Sequence, residues 1–270
     1  MKVFILTKNK LITICLIVSV ALFAGVFGFR NINIATSSQK KLLPIYNVAT
    51  QEKKVAISFD AAWGNEDTAQ LIDILAKYKI KATFFIVGEW VDKYPESVKA
   101  LSDAGHSIQN HSDTHPHLPE LDKESIINEI NNCNNKIEKL TGKRPVLIRV
   151  PYGDYNNCVV ECVNELKMYT IQWDVDSLDW KDYDAQKLYN RVTSKVNCGS
   201  IVLFHNAAKH TPEALPSIIE CLLEKGFKFV TIEDLIYKDN YSINIAGTQI
   251  KQDATTSHAT TPTTKKQDSV

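Results

Sequence analysis

Val55-Ala56-Ile57-Ser58-Phe59-Asp60 is a short β-rich run; a stretch of helical character follows at about Thr68–Tyr78, and a second β-rich run at Thr83–Val87. Strand, helix and strand in that order make a βαβ unit, whose strands lie parallel. The alternation continues along the chain. β-rich runs at Ser107–Gln109, Val146–Arg149, Tyr169–Trp173, Ser200–Phe204 and Lys228–Thr231 are separated by helical segments at about Pro95–Ala104, Lys123–Leu140, Asn156–Leu166, Ala185–Val196 and Pro212–Lys225. Local punctuation supports these boundaries: Asp122 is an N-cap with acid in the following turn, Thr141-Gly142 stops that helix, and Lys225-Gly226 stops the last long one. The expected fold is α/β, a distorted (β/α) barrel of about seven parallel strands, with its chemistry on the loops after the strands.

Polar residues of chemical interest do follow the strands. Asp60 follows the first run, His111 the third, Arg149 closes the fourth, Asp174 to Asp179 follow the fifth and His205 the sixth. Such convergence on one rim is the pattern of an enzyme site. The stretch His111-Ser112-Asp113-Thr114-His115-Pro116-His117-Leu118 sets two imidazoles four residues apart. On a helical turn such a pair shares a face and can converge on one ion, and imidazole suits zinc and other divalent transition metals. Each residue also has a plainer role open to it: Asp60 as a helix cap, Arg149 as a surface ion pair, Asp179 as a turn residue, Trp180 and Leu203 as core. His117 reads as a rim residue and His106 as structural.

Taken together, five ordered motifs resemble the polysaccharide deacetylase family, also called carbohydrate esterase family 4 or the NodB homology domain, of the membrane-anchored bacterial type. They are Ser58-Phe59-Asp60-Ala61-Ala62-Trp63-Gly64, His111 to Leu118, Arg149-Val150-Pro151-Tyr152-Gly153, Asp176-Ser177-Leu178-Asp179-Trp180 and Leu203-Phe204-His205. The resemblance implies a divalent metal, zinc first and cobalt or another transition metal as alternatives, held by His111 and His115, which polarises an acetamide and acidifies a water. It further implies Asp60 as catalytic base, Arg149 as its partner, His205 as general acid and Asp179 as the carboxylate that holds it. The Tyr152 N–H takes the place of the family's oxyanion donor, and Trp180 and Leu203 form apolar walls. The implied substrate is an N-acetylated polysaccharide outside the cytoplasm, peptidoglycan first.

One position departs from the family. Its first motif usually carries a second aspartate as metal ligand, and here that position is Ala61. Three arrangements are open: Asp60 takes the ligand role and another group serves as base, Glu66 or Asp67 swings in, or the ion keeps an extra water at lower affinity. A fourth outcome is a membrane-tethered glycan-binding pseudoenzyme without turnover. Val150, where the family commonly has proline, is a milder departure.

Composition frames these readings. The 270-residue chain has zero formal net charge, yet residues 55–237 carry 19 basic against 27 acidic side chains, which disfavours a nucleic-acid partner and suits a neutral or cationic polymer. Leu11 to Phe29 is an uncharged apolar run flanked by Lys10 and Arg30. As a helix it would span about 28 Å. Its length exceeds an ordinary signal-peptide core, so residues 1–30 are expected to be an uncleaved anchor holding an exported domain at the cell membrane, with secretion as the outcome of cleavage. Residues 31–53 read as a polar linker, 54–238 as the deacetylase domain and 239–270 as a disordered Thr/Ser/Gln/Lys-rich tail. Cys15 lies in the apolar run, and the five remaining cysteines are too irregularly spaced for a disulfide framework.

Overall fold

The computed structural model describes residues 8–9, 12–13, 16–19 and 40–252. The first three groups are helical. Most of the anchor read at residues 1–30, most of the linker up to residue 39 and the tail beyond 252 lie outside the described residues. Among the described residues no helix is long and apolar enough to cross a membrane.

From Lys41 onward the elements run β1 (Asn47–Val48), β2 (Lys54–Ala61), α1 (Thr68–Lys77), β3 (Thr83–Ile86), α2 (Gly88–Lys93), α3 (Pro95–Asp103), β4 (Ser107–Asn110), α4 (Lys123–Thr141) and β5 (Leu147–Ile148). They continue with α5 (Asn157–Glu165), β6 (Tyr169–Thr170), β7 (Val175–Asp176), α6 (Ala185–Thr193), β8 (Ser200–His205), α7 (Thr211–Glu224), β9 (Lys228–Phe229), α8 (Ile232–Leu235), β10 (Tyr241–Ile243) and β11 (Thr248–Lys251). β2 lies parallel between β3 and β8, and the parallel ladder extends through β4 and β5 to β6. β7 adds to β8, and β9 to the start of β2. The result is the expected α/β class, with a curled, parallel-rich sheet.

Alternation along β2 explains both its sequence and its place. Val55, Ile57, Phe59 and Ala61 join the apolar cluster that includes Leu71 and Leu75 of α1 and Leu215 and Ile218 of α7. Ala56 joins a second cluster with Phe85, Leu147, Ile171 and Ile201. A strand covered on both faces reads as a nearly continuous apolar run, and the exceptions, Ser58 and Asp60, are the ones that bind Arg149. Phe59 stacks between Phe84 and Phe204, at centroid distances of 4.8 and 5.6 Å. Side-chain caps start the helices as their sequences indicate: Asp122, Asn156 and Asp184 each accept the N–H three residues on.

The folded region is wider than 54–238. Ile45 bridges to Ile171 beyond β6, and Asn47 of β1 pairs with Ser200 of β8, so the segment read as linker lies between those two strands. The segment read as tail supplies the β10–β11 hairpin, whose second strand runs parallel to β1. The buried Gln249 side chain fixes the hairpin by bonding both the N–H and the C=O of Tyr237, at 2.9 and 2.7 Å. These strands are short and bury few side chains, so their composition carried no strand signal. Gly199 permits the β1–β8 approach: its φ is +80°, and a Cβ there would collide with the Val48 carbonyl.

Candidate active site

At the C-terminal ends of the strands lies a cavity of about 450 Å³, lined among others by Asp60, His111, His115, Tyr152, Trp180, Leu203 and His205. Arg149 sits beneath it, fully buried, and Asp179 stands behind His205. All nine residues read from the sequence therefore gather at one place.

Parallel pairing brings Asp60 and Arg149 together across 89 residues. Arg149 Nη1 donates to Asp60 Oδ1 at 2.7 Å, while Nη2 donates to Ser58 Oγ at 2.9 Å and to the Gln172 carbonyl at 3.2 Å. The guanidinium lies 4.3 Å from the Phe85 ring centre. Burial by itself would raise the Asp60 carboxyl, but Arg149, then His111 and His205, outweigh it and hold it below the usual carboxylate range. Asp60 is thus ionised, with Oδ1 engaged and Oδ2 standing 3.7 Å from His111 Nε2.

The two imidazoles meet, with ring centres 4.9 Å apart, but not on a helical turn. Residues 111–115 form an irregular loop in which Ser112 and His115 adopt left-handed φ values of +65° and +60°. Helical spacing is replaced by a web of bonds. Ser112 N donates to Asn110 Oδ1 at 2.7 Å, and His115 N to Ser112 Oγ at 3.0 Å. The Ser112 and Asp113 carbonyls accept from Gly88 and Glu89 at the start of α2, an approach open only because Gly88 lacks a side chain that would strike Asp113. Glu129 of α4 accepts from Asp113 N, Thr114 N and Thr114 Oγ1 at 2.9, 2.9 and 2.8 Å. Sequence reading missed Glu129, which lies 14 residues beyond His115 and has no local signal. His111 Nδ1 donates to the Arg149 carbonyl at 2.6 Å, leaving Nε2 as the ring nitrogen that could bind a metal. Arg149 thereby orients Asp60 through its side chain and His111 through its backbone. Burial lowers the pKa of both histidines, His115 to about 4, so both are neutral at pH 7, the form that binds metals.

His205 is held by a fully partnered carboxylate. Asp179 Oδ1 faces His205 Nδ1 at 2.7 Å and accepts Trp180 N at 3.0 Å; Oδ2 accepts His205 N at 2.8 Å and Thr211 Oγ1 at 2.7 Å. Nε2 is the ring nitrogen left for the cavity. Burial opposes the imidazolium, yet Asp179, and more weakly Asp60 and Asp176, raise the His205 pKa above its ordinary value.

Tyr152 has φ +59°, and among the described residues its N–H donates to no acceptor, which leaves it for an oxyanion. Leu203 is buried in the wall, whereas Trp180 is exposed at the rim. His117 stacks on Tyr152 at 4.1 Å, and His106 is a buried acceptor for Ala82 N, so both sit as expected of rim and structural residues. Asp174 is structural too, accepting Ser200 Oγ and Ile201 N, each at 2.8 Å. The cysteines at 133, 158, 162, 198 and 221 are free.

Ala61, 1% exposed, belongs to the apolar cluster with Val87 and Trp90 and offers no donor. Asp67 is no substitute, because its Oδ2 accepts Ala207 N at 2.9 Å on the loop after β8, and burial lifts its carboxyl to about 6. The Glu66 carboxylate folds back against Gly64. Among the described residues no three His, Cys, Asp or Glu side chains form a complete metal cluster. The donors present still suit a divalent ion in part: two neutral imidazoles, one fixed by a carbonyl, and Asp60 Oδ2 at 3.7 Å. Donors on a tetrahedral zinc stand about 3.4 Å apart.

The polysaccharide deacetylase family profile matches residues 47–171. The chain is 36% identical over 188 residues to the peptidoglycan-N-acetylmuramic acid deacetylase PdaC of Bacillus subtilis, covering 70% of this chain but only 40% of that protein. It is 33% identical to the peptidoglycan-N-acetylglucosamine deacetylase of Bacillus cereus, over 67% of this chain and 68% of the relative. Among solved structures, BA3943 of Bacillus anthracis, a CE4 family pseudoenzyme, superposes with a TM-score of 0.70 at 35% identity, over 72% of this chain and 69% of the other. A mutant of BA3943 with restored enzymatic activity matches equally well, with a TM-score of 0.70 at 36% identity, over 72% of this chain and 71% of the other.

Proposed function

Because the chain belongs to the polysaccharide deacetylase family, we propose that it hydrolyses the N-acetyl amide of sugars in an extracytoplasmic polysaccharide, peptidoglycan first, from a domain held at the cell membrane by residues 1–30. The observation that carries this reading is the pair of charge-coupled dyads, Asp60–Arg149 and His205–Asp179, facing one cavity. Peptidoglycan is favoured by the substrates named for the PdaC and Bacillus cereus relatives.

On this reading each residue has a step. The acetamide methyl rests against Leu203 and Trp180, and Asp60 Oδ2 takes a proton from the attacking water. Tyr152 N–H donates to the oxygen that gains charge as the carbonyl carbon becomes tetrahedral. His205, its Nδ1 fixed by Asp179, gives a proton to the sugar nitrogen as the C–N bond breaks, leaving acetate and an amine. His111 and His115 would hold the divalent metal, zinc first; when bound it supplies Lewis-acid polarisation of the carbonyl and of water.

The test is acetate release from N-acetylglucosamine oligomers and from purified peptidoglycan, with kcat/KM followed against pH. Activity is expected to persist above pH 6.5 and to fall as His205 loses its proton at its raised pKa. In Asp179→Asn the main force raising that pKa is gone while burial remains, so the alkaline limb moves to lower pH; an unmoved limb would exclude His205 as the acid. One observation favours a second reading. Ala61 removes a family carboxylate, and the similar BA3943 is a pseudoenzyme. Glycan binding without acetate at saturating zinc would establish it.

A further inference from the structure

We propose that Trp63 is the stacking platform for a second sugar ring, next to the one whose acetamide enters the cavity, so that the site takes a glycan chain in preference to a single sugar. The proposal rests on the deacetylase reading of the cavity and extends it outward. Three aromatic side chains are exposed among residues 40–252, Trp63 at 63%, Tyr152 at 59% and Trp180 at 60%, and all three line this one mouth. Large apolar surface left in water at a cavity rim marks a binding site, and aromatic faces suit the apolar C–H faces of pyranose rings. Among the described residues no Lys or Arg lines the cavity itself, so a sugar entering it meets aromatic faces and polar groups, while Lys181 lies over Trp180 at the rim.

Trp63 differs from its two neighbours. One face of Tyr152 is covered by His117, stacked at 4.1 Å and 14°, and Lys181 Nζ lies 4.8 Å over the Trp180 ring. Trp63 meets His115 edge-on at 5.9 Å and 62°, with no ring stacked on it among the described residues. Its loop is fixed on both sides. Ala62 N donates to Asn206 Oδ1 at 3.2 Å, the Gly64 carbonyl accepts Trp90 Nε1 at 3.0 Å and also Asn206 Nδ2, and Asn65 Nδ2 donates to Ser97 Oγ at 3.0 Å. The ring is therefore presented on a braced loop, and little ordering remains to oppose binding.

The test compares N-acetylglucosamine with its tetramer in wild type, Trp63→Ala and Trp63→Phe. Trp63→Ala is expected to lower the preference for tetramer over monomer, as a ratio of kcat/KM, by about tenfold, chiefly through KM, and Trp63→Phe to recover most of it. Equal losses on monomer and tetramer would assign Trp63 to positioning His115 and overturn the proposal, as would an unchanged ratio. Calorimetric titration of the tetramer provides a readout free of turnover. If wild type binds tetramer without releasing acetate, the deacetylase reading fails, and the Trp63 proposal is then decided by whether Trp63→Ala weakens that binding about tenfold or leaves it unchanged.

Discussion

Replacing His205 by alanine is expected to lower acetate release about 10²–10⁴-fold, the range that a positioned general acid supplies, while zinc affinity stays within about twofold of wild type. The separation follows from the geometry. His205 Nδ1 is bound to Asp179, whereas the ion would be held by His111 and His115, which line the same cavity. The variant keeps its fold for a local reason: Asp179 retains Trp180 N, the backbone N–H of residue 205 and Thr211 Oγ1, so the buried carboxylate is not stranded. Turnover on N-acetylglucosamine oligomers and calorimetric zinc binding, measured on the same preparation, check both halves. Loss of zinc together with turnover would make His205 a ligand and refute its role as acid.

Arg149→Met is expected to have the largest effect on stability. Arg149 is 0% exposed, and removing it leaves Asp60, 7% exposed, as a buried charge without its main partner. Breaking such a pair costs about 3–5 kcal/mol, which in a domain of this size lowers Tm by on the order of 10 °C. The pH dependence carries a signature that lost packing would not. In wild type the Asp60 pKa lies below its ordinary 3.8, so the pair's contribution is fully present above 3.8 and is lost as pH falls through the lower folded value. In the variant, burial is no longer outweighed by Arg149 and favours the neutral acid. The Tm gap between the proteins should therefore narrow as pH falls from the variant's raised Asp60 pKa through the lowered one of wild type. A gap independent of pH would mean that Arg149 acts through packing against Phe85 and Trp173 alone.

The parts of this protein legible in its sequence are those in which one segment carries the whole signal. β2 reads as a buried strand because Val55 to Phe59 is apolar except for Ser58, and Asp60 stands out because it ends that run. β8 and His205 read the same way. Where two segments share the signal it fades. β1 and β11 are recognisable only as partners of each other, with β1 also pairing β8, and β7 is a two-residue strand set by its register on β8. The His111–His115 spacing suggested a helical turn, but the loop is shaped by Asn110, Gly88 and Glu129, whose effect depends on tertiary contacts. Ala61 was legible as a missing carboxylate. That Asp67 is committed to Ala207 instead of filling the gap required the structure.

On the proposed function the catalytic groups are complete, and Ala61 lowers affinity for the ion without removing turnover. Zinc titrations of acetate release from N-acetylglucosamine tetramer, run side by side for wild type and Ala61→Asp, test it most directly. The expected result is comparable turnover at saturating zinc, with wild type requiring about tenfold more zinc or beyond to reach it. Acetate release by Ala61→Asp with none from wild type at any zinc concentration would contradict the claim and make the natural protein a glycan-binding pseudoenzyme.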